Sequence, residues 1–264
     1  MDRYILPNIK QYKNIDDLFE STDKSNTTRF SDKSSFLDTI IKTHHLCIVG
    51  EPGIGKSRLL KELESTLSSK DVVKCNAVDF ISKSVGTNVK YCIVDALDEV
   101  ESNQFSRVFR EIKDFCENNK NTNVVFSCRK HYVASYAHIF SSFTDLSYIE
   151  LLRLDDESVE DILSSCSEQV ICNIGKSKKM LGLLSIPRYL EYFIEYQKEN
   201  VDCQNIGQIF EQFVEKNILK AIEEYDNTQC DKNNLAILIQ RVLEKIAFVM
   251  EIGRLDSITK DELY

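Results

Sequence analysis

The chain lacks an apolar leader: Met1-Asp2-Arg3-Tyr4 opens it with charged and polar residues. No run approaches the ~18–20 apolar residues of a membrane span, so secretion and membrane insertion are disfavoured. Its nine cysteines (47, 75, 92, 116, 128, 166, 172, 203 and 230) form no C-x-x-C pair. Cys47, Cys75, Cys92 and Cys128 instead sit in strand-like apolar runs, which reads as buried thiols in a reducing, cytoplasmic setting. A long Lys/Arg block is also missing, and 42 acidic against 33 basic residues leave a formal net charge of −9. A protein that tracks a phosphodiester backbone usually shows a basic face, so nucleic acid is disfavoured as the main ligand. No internal repeat of 20–50 residues is visible, which excludes a repeat array. What remains is 264 residues, 42% hydrophobic, enough to bury the core of one large domain or two small ones.

The strongest pattern present is Gly50-Glu51-Pro52-Gly53-Ile54-Gly55-Lys56-Ser57, which fills every fixed position of G-x-x-x-x-G-K-[ST]. Leu46-Cys47-Ile48-Val49 before it is an apolar run of strand type, and Arg58-Leu59-Leu60-Lys61-Glu62-Leu63 after it opens a helical pattern. In a strand–loop–helix unit the glycines let backbone N–H groups close around a phosphate, and the helix N-terminus adds partial positive charge. Lys56 is then expected to reach the β- and γ-phosphates, with Ser57 as a ligand of Mg²⁺. Arg58 is expected to line the nucleotide pocket.

Residues 1–35 are polar, with a loop over 21–28. Five strand-like runs follow at 45–50, 71–76, 91–97, 123–128 and 148–154, separated by amphipathic segments at 56–69, 104–118 and 131–141. In 104–118, Phe105, Val108, Phe109, Ile112 and Phe115 recur at helical spacing. Strands alternating with helices predict an α/β fold with a parallel five-stranded sheet flanked by helices. Runs apolar on both faces, such as Cys92-Ile93-Val94, fit central strands. From Asp155 the periodicity is helical only, over 176–184, 187–199, 205–225 and 233–252. The division expected is a polar segment 1–35, a P-loop NTPase domain 36–154, a helical subdomain 155–255, and a further element begun over 256–264.

A second chemical cluster ends the third strand run: Tyr91-Cys92-Ile93-Val94-Asp95-Ala96-Leu97-Asp98-Glu99. An acid at the tip of a strand beside the P-loop holds Mg²⁺, directly or through its waters, and Asp95 fits. Asp98 and Glu99 are placed to orient or deprotonate an attacking water. The fourth run ends Ser127-Cys128-Arg129; if that strand lies between the first and third, Arg129 stands near the γ-phosphate and distinguishes triphosphate from diphosphate. An arginine after a strand is also an ordinary surface residue, so this expectation hangs on strand order.

These motifs resemble the STAND class of AAA+-related NTPases, and the D-A-L-D-E segment is most similar to the NACHT branch. The family's sensor strand typically ends S-x-R, matched by Ser127 and Arg129. Leu184-Ser185-Ile186-Pro187-Arg188 is similar to the family's proline motif, which implies that Pro187 touches the adenine side of the nucleotide; the usual Gly or Asn ahead of it is replaced by Ser185 and Ile186. The resemblance implies a switch that binds ATP or ADP with Mg²⁺, hydrolyses ATP slowly, and opens and self-oligomerises on exchange, in signalling or antiviral and innate-immune defence. It also implies that 256–264 starts a truncated winged-helix domain, and that sensor and effector regions lie outside this chain.

Two other readings stay open. An AAA+ ATPase that loads or remodels nucleic acid or protein shares the P-loop and Asp95, but normally ends its acidic strand D-E without the Ala-Leu spacer. A scaffold that binds nucleotide with little turnover is the other, and the intact acids count against complete loss of catalysis.

Overall fold

The computed structural model describes residues 5–20, 27–80, 89–164, 174, 178–198, 206–225 and 232–253. They fall in two compact units, Met1–Glu191 and Tyr192–Tyr264. The winged-helix start expected over 256–264 lies outside the described residues.

In the first unit the chain runs β1 (Asn8–Tyr12), α1 (Ile15–Glu20), β2 (Thr27–Thr28), α2 (Lys33–Ile41), β3 (His45–Gly50), α3 (Lys56–Thr66), β4 (Val72–Asn76) and α4 (Ala77–Phe80). It continues through β5 (Tyr91–Asp95), α5 (Ser102–Asn118), β6 (Asn123–Arg129), α6 (Lys130–Ser135), α7 (Ala137–Phe140), β7 (Leu146–Leu152), α8 (Asp156–Leu163), α9 (Lys178–Leu184) and the start of α10 (Pro187–Lys198). In the second unit, α11 (Ile206–Tyr225) and α12 (Lys232–Gly253) lie against one another.

The sheet order is β2-β1-β7-β3-β6-β5-β4. Its five parallel strands are the five expected from the apolar runs. The sheet nevertheless has seven strands rather than five, because the N-terminal polar segment adds two. β1 pairs antiparallel with β7 from Asn8↔Leu152 to Tyr12↔Tyr148, and β2 pairs with β1. β1 carries few apolar residues, yet Ile9 and Tyr12 are buried. Glu150 of β7 accepts from the Tyr12 hydroxyl at 2.9 Å and from Lys130 Nζ at 2.7 Å, which ties β1 to the start of α6.

β3 is buried at every residue, as a strand covered on both faces must be. Leu46, Ile48, Ile93, Val125 and Ile149 face α2 and α3, where Phe36, Ile40, Leu59, Leu60 and Leu63 cover them. Cys47, Val49, Val94, Phe126 and Tyr148 face the other way, against Phe105, Val108, Phe109 and Ile112 of α5. The helix expected over 131–141 is two short helices broken at Tyr136, whose ring lies 4.3 Å from that of Phe105. Asp155 caps α8, accepting from Ser158 N–H at 2.9 Å.

His45, at the N-terminal end of β3, is buried, and burial, helped by neighbouring His44, pushes its pKa down to about 4. The imidazole is therefore neutral in the fold, and the unfolded chain binds a proton near pH 6.5. Stability from this group is complete above about pH 6.5 and is lost as pH falls to about 4, on the order of 3 kcal/mol. Denaturant midpoints between pH 7 and 5 should fall more steeply for the native chain than for His45→Asn; equal slopes would contradict the assignment.

Candidate functional site

The candidate residues converge at the carboxyl ends of three neighbouring strands, β3, β6 and β5. β6 lies between β3 and β5, the order on which the expectation for Arg129 depended, and Gly50 pairs with Arg129 in register. Open parallel sheets bind ligands at this edge.

The loop Gly50–Gly55 leaves β3 and enters α3. Gly53 and Gly55 have φ of +78° and +108°, conformations that cost an L side chain energy. Around Gly55 nothing lies within 4 Å of where a Cβ would stand, whereas Gly53 is close-packed. Among the described residues the N–H groups of Gly53, Gly55, Lys56 and Ser57 find no acceptor. Such a row of unpaired donors at the head of an eleven-residue helix is an anion cradle. Lys56 Nζ bends back to donate to the carbonyls of Gly50 (2.9 Å) and Glu51 (3.1 Å). Burial lowers its pKa, and neighbouring Asp98 opposes that shift. The ammonium is thus already in the loop, held by neutral carbonyls that a phosphate oxygen would outcompete.

Asp95 ends β5. Its Oδ1 accepts from Ser127 Oγ (2.6 Å), from Ala96 N–H (2.9 Å) and from Ser57 Oγ (3.2 Å). The expected metal pair, Ser57 in the first turn of α3 and Asp95 at the end of β5, is therefore brought together by two different elements. Two hard oxygen donors beside the phosphate cradle suit Mg²⁺. Ala96 turns left-handed, with φ +58° and ψ +51°, and is the one non-glycine residue with positive φ among those described. A small side chain limits the strain there, which accounts for Ala in D-A-L-D-E. Leu97 is then buried, and Asp98 and Glu99 diverge. Asp98 Oδ2 meets Arg129 Nε at 2.7 Å and its Oδ1 accepts the Arg129 N–H at 3.1 Å. Glu99 is exposed, and its carboxylate has no hydrogen-bond or ion-pair partner among the described residues.

Pro187 is the first residue of α10, where its missing N–H costs nothing. The segment around it rests on the P-loop: Arg188 N–H donates to the Gly53 carbonyl at 3.2 Å, and a Cβ on Gly53 would stand 3.2 Å from Ile186 and Arg188 atoms. Arg58 forms an ion pair with Glu191 of α10. Expected to line the pocket, its guanidinium also joins α3 to α10.

One contributor escaped sequence reasoning. Arg153, just past β7, holds Glu51 through Nε (2.8 Å) and Nη2 (2.6 Å). The next residue, Leu154, donates its N–H to the Ser185 carbonyl at 2.8 Å. A partner 102 residues away leaves no periodic signal; the only hint was an arginine at a strand's carboxyl end.

Residues 32–168 match the family model described as novel STAND NTPase 3. No curated protein gives a match. Among solved structures, the chain is similar to a replication initiator DnaA bound to AMPPCP and single-stranded DNA, with 16% identity, 72% of this chain and 67% of that chain covered, and a TM-score of 0.49. It is similar to AMPPCP-bound DnaA from Aquifex aeolicus (13% identity, 88% and 86% covered, TM-score 0.48). It is also similar to the Aeropyrum pernix ORC1 protein in complex with DNA (11% identity, 89% and 76% covered, TM-score 0.45).

Proposed function

The chain belongs to the novel STAND NTPase 3 family, a group of P-loop nucleoside triphosphatases, and from that premise we propose that it is a switch module driven by ATP and ADP. The observation that carries this reading is the seat of the Ile186–Arg188 segment on Gly53, inside the phosphate loop. A loop that closes on phosphates then moves a helix directly, so the two nucleotides favour different placements of that helix.

In this reading Gly50 to Ser57 bind the phosphates, with Lys56 as the cation for the terminal phosphates. Ser57 and Asp95 hold Mg²⁺, which when bound neutralises charge on the phosphoryl oxygens. Glu99 is the acid at the water side of the pocket, Asp98 stands against Arg129, and Arg129 reads the γ-phosphate. Arg58 and Pro187 stand at the α10 side, where the nucleoside would lie. Hydrolysis is slow and regulatory, because Glu99 is solvent-exposed and unoriented in this state. The D-A-L-D-E segment supports a place near the NACHT branch. By that likeness the module works in the cytoplasm, self-oligomerises on activation, and serves a larger signalling or antiviral and innate-immune defence protein.

Hydrogen exchange in saturating ADP or a non-hydrolysable ATP analogue, each with Mg²⁺, tests the switch. Amides of residues 50–57 should be protected by both, and those of 186–191 should differ between the two. Identical protection of 186–191 would overturn the switch reading. Turnover stimulated by DNA would favour the loader reading instead.

A further inference from the structure

Asp98 and Glu99 are adjacent, yet their surroundings are opposite. Both Asp98 oxygens are committed to one residue: Oδ1 to the Arg129 main-chain N–H and Oδ2 to Arg129 Nε. The Asp98 side chain is 7% exposed and the Arg129 side chain 43%. Only Nε of the guanidinium is used; its Nη groups have no partner among the described residues. A buried carboxylate whose oxygens hold an arginine is poorly placed to take a proton from an attacking water. It is well placed to orient a planar fork, because fixing Nε fixes the plane in which both Nη groups lie.

We infer that Asp98 is a positioning residue: it clamps Arg129 by main chain and Nε, aims the free Nη edge at the terminal phosphate of a nucleoside triphosphate, and leaves Glu99 alone to serve the water. This rests on the reading of the site as a triphosphate pocket. It adds that the preference for triphosphate over diphosphate depends on Asp98 and acts entirely through Arg129.

Calorimetric titration of a non-hydrolysable ATP analogue and of ADP into the full chain separates the roles. Asp98→Asn, whose amide has one acceptor oxygen and cannot accept from both the Arg129 N–H and Nε, should lower the triphosphate preference by about tenfold. Arg129→Gln should do the same, and the double variant should be no worse than either alone. Arg129→Lys keeps the charge and leaves Asp98 in place, and should also lose the preference. Glu99→Gln should keep the preference while losing turnover. Losses that multiply in the double variant, to about a hundredfold, would overturn the inference. So would an Asp98→Asn protein that keeps the preference and loses turnover as Glu99→Gln does. A native chain that binds neither nucleotide would instead remove the pocket reading on which the inference stands.

Discussion

Lys56→Ala should weaken binding of a nucleoside triphosphate by about a hundredfold or more, with little change in thermal stability. In the proposed site the ammonium would make charge-assisted bonds to two phosphates, each worth about 1.5–3 kcal/mol. Without nucleotide it donates only to the carbonyls of Gly50 and Glu51, on a loop where water can replace it. Its burial also costs free energy, as its lowered pKa reflects, so removal relieves that cost. Binding and folding are thereby separated. Isothermal titration beside a thermal melt checks both, and unchanged affinity would mean that Lys56 does not face the phosphates.

Gly53→Val should be strongly damaging, costing about 2–4 kcal/mol of stability together with nucleotide binding. Two effects add. A β-branched residue is strained at φ +78°, and its Cβ would stand 3.2 Å from both Ile186 Cγ2 and Arg188 Cβ. The collision would push the start of α10 off the loop and lengthen the bond from Arg188 N–H to the Gly53 carbonyl. Gly55→Ala is the control. Its φ of +108° is strained too, but nothing lies within 4 Å of the added carbon, so its cost should stay at about 1–2 kcal/mol. Equal melting temperatures for the two variants would show that the Ile186–Arg188 segment is not seated on the loop.

The phosphate loop was legible because its chemistry needs fixed residue types at fixed spacing, and the five parallel strands because each is an apolar run between helical patterns. Asp95 and Arg129 followed from strand ends alone; the strand order then placed Arg129 beside Gly50, and Asp95 within reach of Ser57. Other features left weaker traces. β1 buries only Ile9 and Tyr12, and its pairing comes from β7 rather than from its own pattern. β2 is two residues long, below any periodicity. The break at Tyr136 interrupts an unbroken helical pattern, and aromatic packing on Phe105 accompanies it. The bonds Glu51–Arg153, Arg58–Glu191 and Asp98–Arg129 join residues far apart in sequence, so only tertiary structure reveals them.

The measurement that tests the central claim most directly is nucleotide content and turnover of the purified native chain beside Lys56→Ala. Bound nucleotide released from the native chain, slow Mg²⁺-dependent hydrolysis of added ATP, and the absence of both in Lys56→Ala are the results expected. A native chain free of nucleotide, with no measurable affinity for ATP or ADP, would contradict it.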